Sequence, residues 1–423
     1  MPEEYAMQTI KAEKQRNIKW RNERAIVMLL KQNSEMTIPE IAEKLELSRT
    51  AATKTITELC SEGLLKEVGI REATVLGGKP PRLYSLNASY KYTFILLIGN
   101  NHISTCIADM SCNIVASNTV TKPGLTGATR WDDLMDIVID AVHMQMDLSP
   151  IAEDKFCMMV VQSGGIVDHI RGEIVIPIGY RRTSGYALKE ELEKRLGLPF
   201  PIVVDNVGRF FGYAELLADP SLEEKSVATI NSHDGGGISG SVIDHGKLLY
   251  GRHGYQGEFG HLLVRTDHAR QCICGNYGCL ESALHKDALI EMYEDKKTAF
   301  PEATLPEGER GDLRGILKAA ETGDRLAQEI SSEIARVLSR AIYNIVLMYD
   351  PDVIILQSAL AAGGDYFMKR LKEYTRICPG YGDIPIPEIR FSELSLKAEE
   401  VGNRGAALYA LNTYLFGKSK LKE

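Results

Sequence analysis

Residues 257–281 read GEFGHLLVRTDHARQCICGNYGCLE and gather three of the chain's eight cysteines, Cys272, Cys274 and Cys279, into eight positions. Gly275 and Gly278 stand between them, where a ligand loop has to turn sharply. With His261 these thiols make up the donor set of a closed tetrahedral zinc site, soft sulfur plus one neutral ring nitrogen. His268 lies inside the same segment and competes with His261 as the imidazole. Glu258 and Glu281 bracket the cluster. A metal clip with an acid at each end can hold both carboxylates toward one pocket, which points to ligand positioning rather than to metal chemistry.

The remaining composition bounds the problem. At 423 residues the chain is too long for one compact core, so two or three domains are expected. With 44% hydrophobic and 25% charged residues it reads as an ordinary globular protein. Apolar runs such as 92–98 and 353–356 have the length of buried strands, far short of the about 20 residues of a membrane span. The mixed, charged N-terminus lacks the apolar stretch of a signal peptide, so a cytoplasmic location with reduced thiols is expected. Cys60, Cys106, Cys112, Cys157 and Cys378 are scattered among apolar neighbours and read as core residues. Residues 1–90 carry 14 Lys and Arg against 12 Asp and Glu, leaving 35 against 45 for the rest. A mildly basic head on an acidic body fits a nucleic-acid-binding module joined to a ligand-binding one.

Within the head, apolar residues recur at helical spacing over 22–32. Thr37-Ile38-Pro39-Glu40 is a capping box with Pro in the first turn, opening a helix with the apolar face Ile41, Ala42 and Leu45. Ser48 is a suitable N-cap for a third helix running to about residue 62, with Ala52, Ile56 and Leu59 facing inward. Its other face carries Arg49, Thr50, Thr53, Lys54 and Thr57, cations and hydroxyls suited to phosphates and base edges in a major groove. Two short strands, 65–68 and 82–86, enclose the Gly- and Pro-rich run 69–81. This is the element order of a winged helix-turn-helix, with Lys79 and Arg82 along the wing beside the DNA backbone; the competing reading is a small helical interaction domain with a hairpin. Residues 1–20 are expected to form an arm or an additional helix.

After Asn87 strands and helices alternate. Strands are expected at 92–98, 104–109, 114–121, 155–162, 202–204, 227–231, 239–244 and 353–356. Helices are expected at 131–146, 188–196, 208–217, 286–293, 313–322, 326–348, 366–375 and 403–416. The order predicts two α/β lobes, each with a mixed sheet, and a cleft between them. Gly235-Gly236-Gly237 alone reads as a tight turn, and His233, His245 and His253 as loop histidines.

Several of these runs carry a family likeness. Gly77-Gly78-Lys79-Pro80-Pro81-Arg82-Leu83-Tyr84-Ser85-Leu86-Asn87 resembles the end of the DNA-binding head of ROK-family repressors. Glu258-Phe259-Gly260-His261 followed by Cys272-Ile273-Cys274-Gly275-Asn276-Tyr277-Gly278-Cys279-Leu280-Glu281 is similar to that family's E-x-G-H and C-x-C-G-x-x-G-C-L-E signature, with a His-to-Cys interval one residue longer than usual. Asp350-Pro351-Asp352-Val353-Ile354-Ile355 and Gly402-Asn403-Arg404-Gly405-Ala406-Ala407 resemble its last strand and last helix. The resemblance to ROK sugar kinases and repressors covers nearly the whole chain. It implies an N-terminal arm (1–20), a winged helix-turn-helix (21–90) and a two-lobed actin-like, ribonuclease H-like ATPase (sugar kinase) fold with a structural zinc loop (91–423). It also favours His261 as the zinc ligand, through one ring nitrogen with the other facing a sugar. Glu258, Glu281 and the Asn206 side chain would then accept hydrogen bonds from sugar hydroxyls.

Kinase activity is not implied. The phosphate loop D-x-G-G-T is replaced by Leu97-Ile98-Gly99-Asn100-Asn101, and the N-D-A-N run that supplies the kinase base is Asn206-Val207-Gly208-Arg209. The second phosphate loop, G-T-G-x-G-G-G, is Asn231-Ser232-His233-Asp234-Gly235-Gly236-Gly237, whose Asp234 would repel phosphate, and the late Gly-Gly is Gln357-Ser358. The expected function is therefore a sugar-responsive transcriptional regulator, a repressor, that binds double-stranded operator DNA as a homodimer or dimer of dimers. The alternatives are an active sugar kinase with an appended DNA-binding head and a regulator controlled by a protein partner.

Overall fold

The computed structural model describes residues 3–71, 80–99, 102–121, 131–176, 185–233, 237–265, 269–378, 385–394 and 398–416. The head comprises α1 (Glu3–Asn33), β1 (Met36–Thr37), α2 (Ile38–Lys44), α3 (Arg49–Ser61), β2 (Leu65–Ile70) and β3 (Arg82–Leu86), the strands forming a sheet in the order β1-β3-β2. The capping box forms as read: the Thr37 backbone N–H donates to Glu40 Oε2 at 2.8 Å, and the Thr37 hydroxyl accepts the Glu40 N–H. Ser48 caps α3 by accepting the Ala51 N–H at 3.2 Å. Ile26, Leu30, Ile41, Ala42, Ala52, Ile56 and Leu59 bury the helix faces that the 3.6-residue spacing assigns inward, Leu83 and Leu86 of β3 are buried as well, and Leu45 is half-buried. The helix expected at 22–32 is longer than its apolar pattern: residues 3–33 are continuous helix. Its N-terminal half is built from good helix formers rather than from an apolar stripe, so propensity sets its length.

The body continues with β4 (Tyr92–Ile98), β5 (His102–Asp109), β6 (Ile114–Thr121), α4 (Trp131–Leu148), β7 (Phe156–Ser163), β8 (Ile166–Asp168), β9 (Glu173–Ile176), α5 (Leu188–Leu196), β10 (Ile202–Asn206) and α6 (Val207–Ala218). Then follow β11 (Ser226–Ser232), β12 (Ile238–Asp244), β13 (Lys247–Leu248), α7 (Leu280–Leu284), α8 (Lys286–Lys296), α9 (Leu313–Glu321), α10 (Arg325–Tyr349), β14 (Val353–Ser358), α11 (Gly364–Tyr374), β15 (Glu388–Phe391) and α12 (Ala398–Phe416). The chain divides into two compact units, one of residues 1–161, 190–203 and 407–423, the other of 162–189 and 204–406.

One five-stranded sheet has the order β10-β7-β4-β5-β6. β7 is buried at every position, as its unbroken apolar sequence requires of a strand covered on both faces, whereas edge strand β6 alternates between half-buried and exposed residues. The second sheet, β13-β12-β11-β14-β15, is mixed: β11 pairs antiparallel with β12 and parallel with β14, and β14 parallel with β15. It packs into a large apolar core with α10, whose Leu326, Ile330, Ile334, Leu338, Ile342 and Ile345 lie along one buried face. The expected pairing of 227–231 with 239–244 is present, extended by a residue or two at the ends. The β8–β9 hairpin, β13, β15 and α7 are not among the expected elements; each is five residues or fewer, too short to establish a period.

The glycines of the Gly402 to Ala407 run have a packing role. A Cβ on Gly405 would lie 1.7 Å from the Phe210 carbonyl oxygen, so α12 approaches α6 at a distance that only glycine permits. Among the described residues no helix is long and apolar enough to cross a membrane.

Candidate metal centre and nucleic-acid interface

The segment after β13 winds through a single turn of 3-10 helix at Phe259–His261 and returns to α7. His261, Cys272, Cys274 and Cys279 converge there, their ligand atoms all within 4.8 Å of one another. Cys274 Sγ lies 3.6 Å from Cys279 Sγ, and Cys272 Sγ lies 3.6 Å from His261 Nδ1. With metal–sulfur bonds of about 2.3 Å, tetrahedral donors sit a little under 4 Å apart, so this spacing suits a metal ion. The loop shape comes from the main chain. The Cys272 N–H donates to Asn276 O at 2.8 Å and the Gly275 N–H to Cys272 O at 2.9 Å, folding Cys272 and Cys274 toward one point. Gly278 has φ of +82°, and a Cβ there would fall 1.9 Å from the Arg265 carbonyl oxygen. From α10, Arg340 donates to the Val264 carbonyl at 2.8 Å and Glu333 accepts from Arg265 at 3.2 Å, holding the loop from outside. Burial pushes the Cys272 and Cys279 thiols above the ordinary value, so metal binding, which needs thiolates, displaces protons. His268 lies outside the described residues.

Both bracketing acids are half-buried and close to this cluster. Glu281, in the first turn of α7, accepts the Ile238 N–H at 3.0 Å, tying the loop to the start of β12. Burial pushes the Glu258 carboxyl up to about 7; Arg209 opposes the rise and Glu281 adds to it. Asn206 caps α6: its Oδ1 accepts the Gly208 N–H at 2.7 Å and its Nδ2 donates to Gly165 O at 2.5 Å. The Asn206 carbonyl thus keeps one lone pair for a further donor. Val207 opens α6 at the position of the kinase base, and no side chain of that type accepts a proton.

Among the described residues at the positions of the other kinase elements, Ser232, His233 and Gln357 make contacts within the protein. Gln357 is buried and donates to Phe211 O at 3.2 Å and to Glu215 Oε1 at 2.6 Å, while Ser392 donates to the same Glu215 oxygen. Burial raises the Glu215 carboxyl above its ordinary value. Ser358 adopts φ of +57°, a conformation that glycine would reach without strain. His233 donates its backbone N–H to Gly237 O at 2.8 Å, and the Ser232 hydroxyl accepts the Leu360 N–H at 3.0 Å. Asn100, Asn101, Asp234, Gly235 and Gly236 lie outside the described residues.

On the head, Ser48, Arg49, Thr50, Thr53, Lys54 and Thr57 are all exposed on α3. Thr53 and Thr57 donate their hydroxyls back to the carbonyls of Arg49 and Thr53, at 2.7 and 2.8 Å, and keep their acceptor lone pairs outward. Arg82 is exposed but bonded to Glu67 Oε2 at 2.6 Å across the β2–β3 pair, so its charge is partly answered within the wing. Lys79 lies outside the described residues. Two features escaped the sequence reading: the buried Asp205–Arg209 ion pair, for which the i, i+4 spacing was the available signal, and the Gln357–Glu215–Ser392 cluster, for which there was none.

A three-helix head with a two-stranded wing, followed by two five-stranded sheets and a His-Cys metal loop, defines a winged-helix protein with a sugar-kinase-type body. An HTH domain matches residues 21–71, the ROK family matches residues 95–411, and the chain belongs to the ROK family. It is 25% identical to the DNA-binding transcriptional dual regulator NagC of Escherichia coli K12, over 80% of this chain and 80% of that protein. It is 26% identical to a glucokinase of Streptomyces coelicolor, over 72% of this chain and 94% of the other. Among solved structures, a ROK family transcriptional regulator homologous to E. coli MLC superposes with a TM-score of 0.74 at 20% identity, covering 96% of this chain and all of the other. A ROK glucokinase of Streptomyces griseus, solved with glucose and AMPPNP, superposes with a TM-score of 0.59 at 24% identity, over 75% of this chain and 98% of that one. These likenesses establish the fold.

Replacing Cys274 with Ser takes away one of four donors. Elemental analysis of purified Cys274→Ser is expected to find the metal lost, with a lowered melting temperature; full metal content would remove Cys274 from the ligand set.

Proposed function

We propose that this protein is a sugar-responsive transcriptional regulator, a repressor, that carries no kinase activity. The observation that carries the reading is the pairing of an exposed helix face in a winged head with a ROK body whose base position holds Val207. The likeness to NagC, a DNA-binding transcriptional dual regulator, supports it.

The α3 face, Ser48, Arg49, Thr50, Thr53, Lys54 and Thr57, enters the major groove, with the wing residues Lys79 and Arg82 beside the backbone. Cations there neutralise phosphate, and hydroxyl lone pairs take donors from base edges. A single head reads a short half-site, so the protein acts as a two-fold dimer or a dimer of dimers on a near-palindromic operator in the cytoplasm. In the body the metal is zinc, because three thiols and an imidazole saturate a tetrahedral ion and leave no open position for chemistry. Its role is to fix the loop. Glu258 and Glu281 then accept hydrogen bonds from sugar hydroxyls, with the free lone pair of Asn206 adding a third acceptor and the outward nitrogen of His261 a further polar contact. The sugar alters operator affinity because it binds the DNA-competent and incompetent arrangements unequally.

A thermal-shift screen of the full chain against hexoses, N-acetylhexosamines and their 6-phosphates tests the sensor. A stabilising sugar is expected; a panel without effect would favour control by a protein partner. Glu281→Gln halves the acceptor capacity of one carboxyl. It is expected to raise the half-saturating sugar concentration about tenfold, the scale of one lost charged hydrogen bond, while ligand-free protein keeps its operator affinity. Lys54→Ala should weaken operator binding evenly across sequences and lower the log–log salt slope by about 1, a change read by anisotropy at several salt concentrations. An unaltered slope takes Lys54 out of the interface. Because ROK glucokinases are also relatives, turnover needs its own assay. Protein incubated with ATP, magnesium and hexoses is expected to release ADP no faster than a sugar-free control, and sustained release would overturn the role given to Val207.

A further inference from the structure

Asp205 is the penultimate residue of β10 and Arg209 lies in the first turn of α6, and the two are 1% and 2% exposed. Arg209 Nη1 bonds Asp205 Oδ1, and Nη2 donates to the Gly254 carbonyl at 2.8 Å. The guanidinium lies 5.2 Å from the Tyr250 ring centroid, and Tyr250 donates its hydroxyl to Asp205 Oδ2 at 2.9 Å. The same ring stacks on His169 at 3.7 Å. Gly254 has φ of +77°, and a Cβ there would come within 2.2 Å of the Val167 carbonyl oxygen. One buried ion pair therefore joins the end of β8, the β10–α6 junction and the segment Tyr250 to Gly254, which leads into Glu258 four residues later.

Stability alone gives little reason for such a pair, since apolar residues of similar volume commonly serve a core as well or better. Arg209 also lies in a strongly apolar setting, followed by Phe210, Phe211 and Leu216, all buried. Its Nη2 goes to the main chain of the segment that carries Glu258 and its guanidinium lies over that segment's Tyr250 ring, while Nε is buried without a hydrogen-bond partner. In the kinase pattern N-D-A-N the same place holds an asparagine, which has neither the reach nor the charge for these contacts.

We propose that Arg209 is a positioning residue for effector recognition: by clasping Asp205, Tyr250 and Gly254 it sets the Glu258 carboxylate in place before the ligand arrives. The inference rests on the reading of Glu258 as an acceptor of sugar hydroxyls. Preorganisation of this kind spares the ordering cost that a mobile segment would impose on binding.

A double-mutant cycle on the full chain tests it, with N-acetylglucosamine and glucose as calorimetric probes. Asp205→Asn combined with Arg209→Gln removes the clasp without leaving a lone buried charge. It is expected to weaken binding about tenfold, and by less than about twofold when Glu258→Gln is also present, because residues acting through one another are not additive. Tyr250→Phe deletes only the hydroxyl bond to Asp205 and is expected to cost about threefold with Glu258 and nothing measurable with Glu258→Gln. Equal losses in both backgrounds, for either variant, would overturn the role of Arg209. Wild-type protein that binds neither probe nor any other sugar of the thermal-shift panel would instead overturn the sugar reading beneath it.

Discussion

Four donor atoms confined within 4.8 Å of one another are the constraint on which the sensor half depends. The loop that carries them has little core of its own: Leu263, Ile273 and Tyr277 are each at least 60% exposed. Its shape comes from glycine turns, main-chain hydrogen bonds, the arginine contacts with α10 and whatever the cluster binds. A cation held at that point would fix His261 and Cys279 together, and each lies within three residues of an acid. Glu258 precedes His261 through one 3-10 turn, and Glu281 follows Cys279 into α7.

At several positions where the kinase pattern has its nucleotide-binding and base residues, the described residues of this body make contacts within the protein. Gln357 spends its amide on the α6 backbone and on Glu215, Ser358 accepts a left-handed conformation, and Asn206 is drawn into capping α6. Val207 leaves an aliphatic side chain at the place of the base. The buried Asp205–Arg209 pair adds a polar tie where asparagine stands in the kinase pattern.

Local chemistry was the legible part of the sequence. The Thr37–Glu40 capping box and the Ser48 cap are settled by residues within four positions, and both form as read. Long periodic segments such as α10 and the unbroken apolar β7 were equally clear, since their burial follows from period alone. Short elements were not: β8, β9 and β13 pair with near neighbours but are too brief to carry a period, and β15 depends on β14, a partner distant in sequence. Residues 3–20, read as an arm or an additional helix, run into α1 without a break, a join that helix propensity without an apolar stripe does not mark. At the site, the grouping of His261 with Cys272, Cys274 and Cys279 could be read from spacing and likeness. The commitment of Asn206 to a helix cap and the burial of Arg209 depend on what surrounds them in three dimensions.

The central claim is a coupling between two ligands of one chain, and coupling has a reciprocal signature. A duplex selected by the full-length protein from random-sequence DNA supplies one ligand, and a stabilising hexose the other. Operator affinity is measured with and without saturating hexose, and hexose affinity with and without the duplex. The account predicts that both affinities shift by the same factor, about fivefold or more, as linkage demands of sites that share one two-state element. A hexose that binds the body while leaving operator affinity unchanged would contradict it.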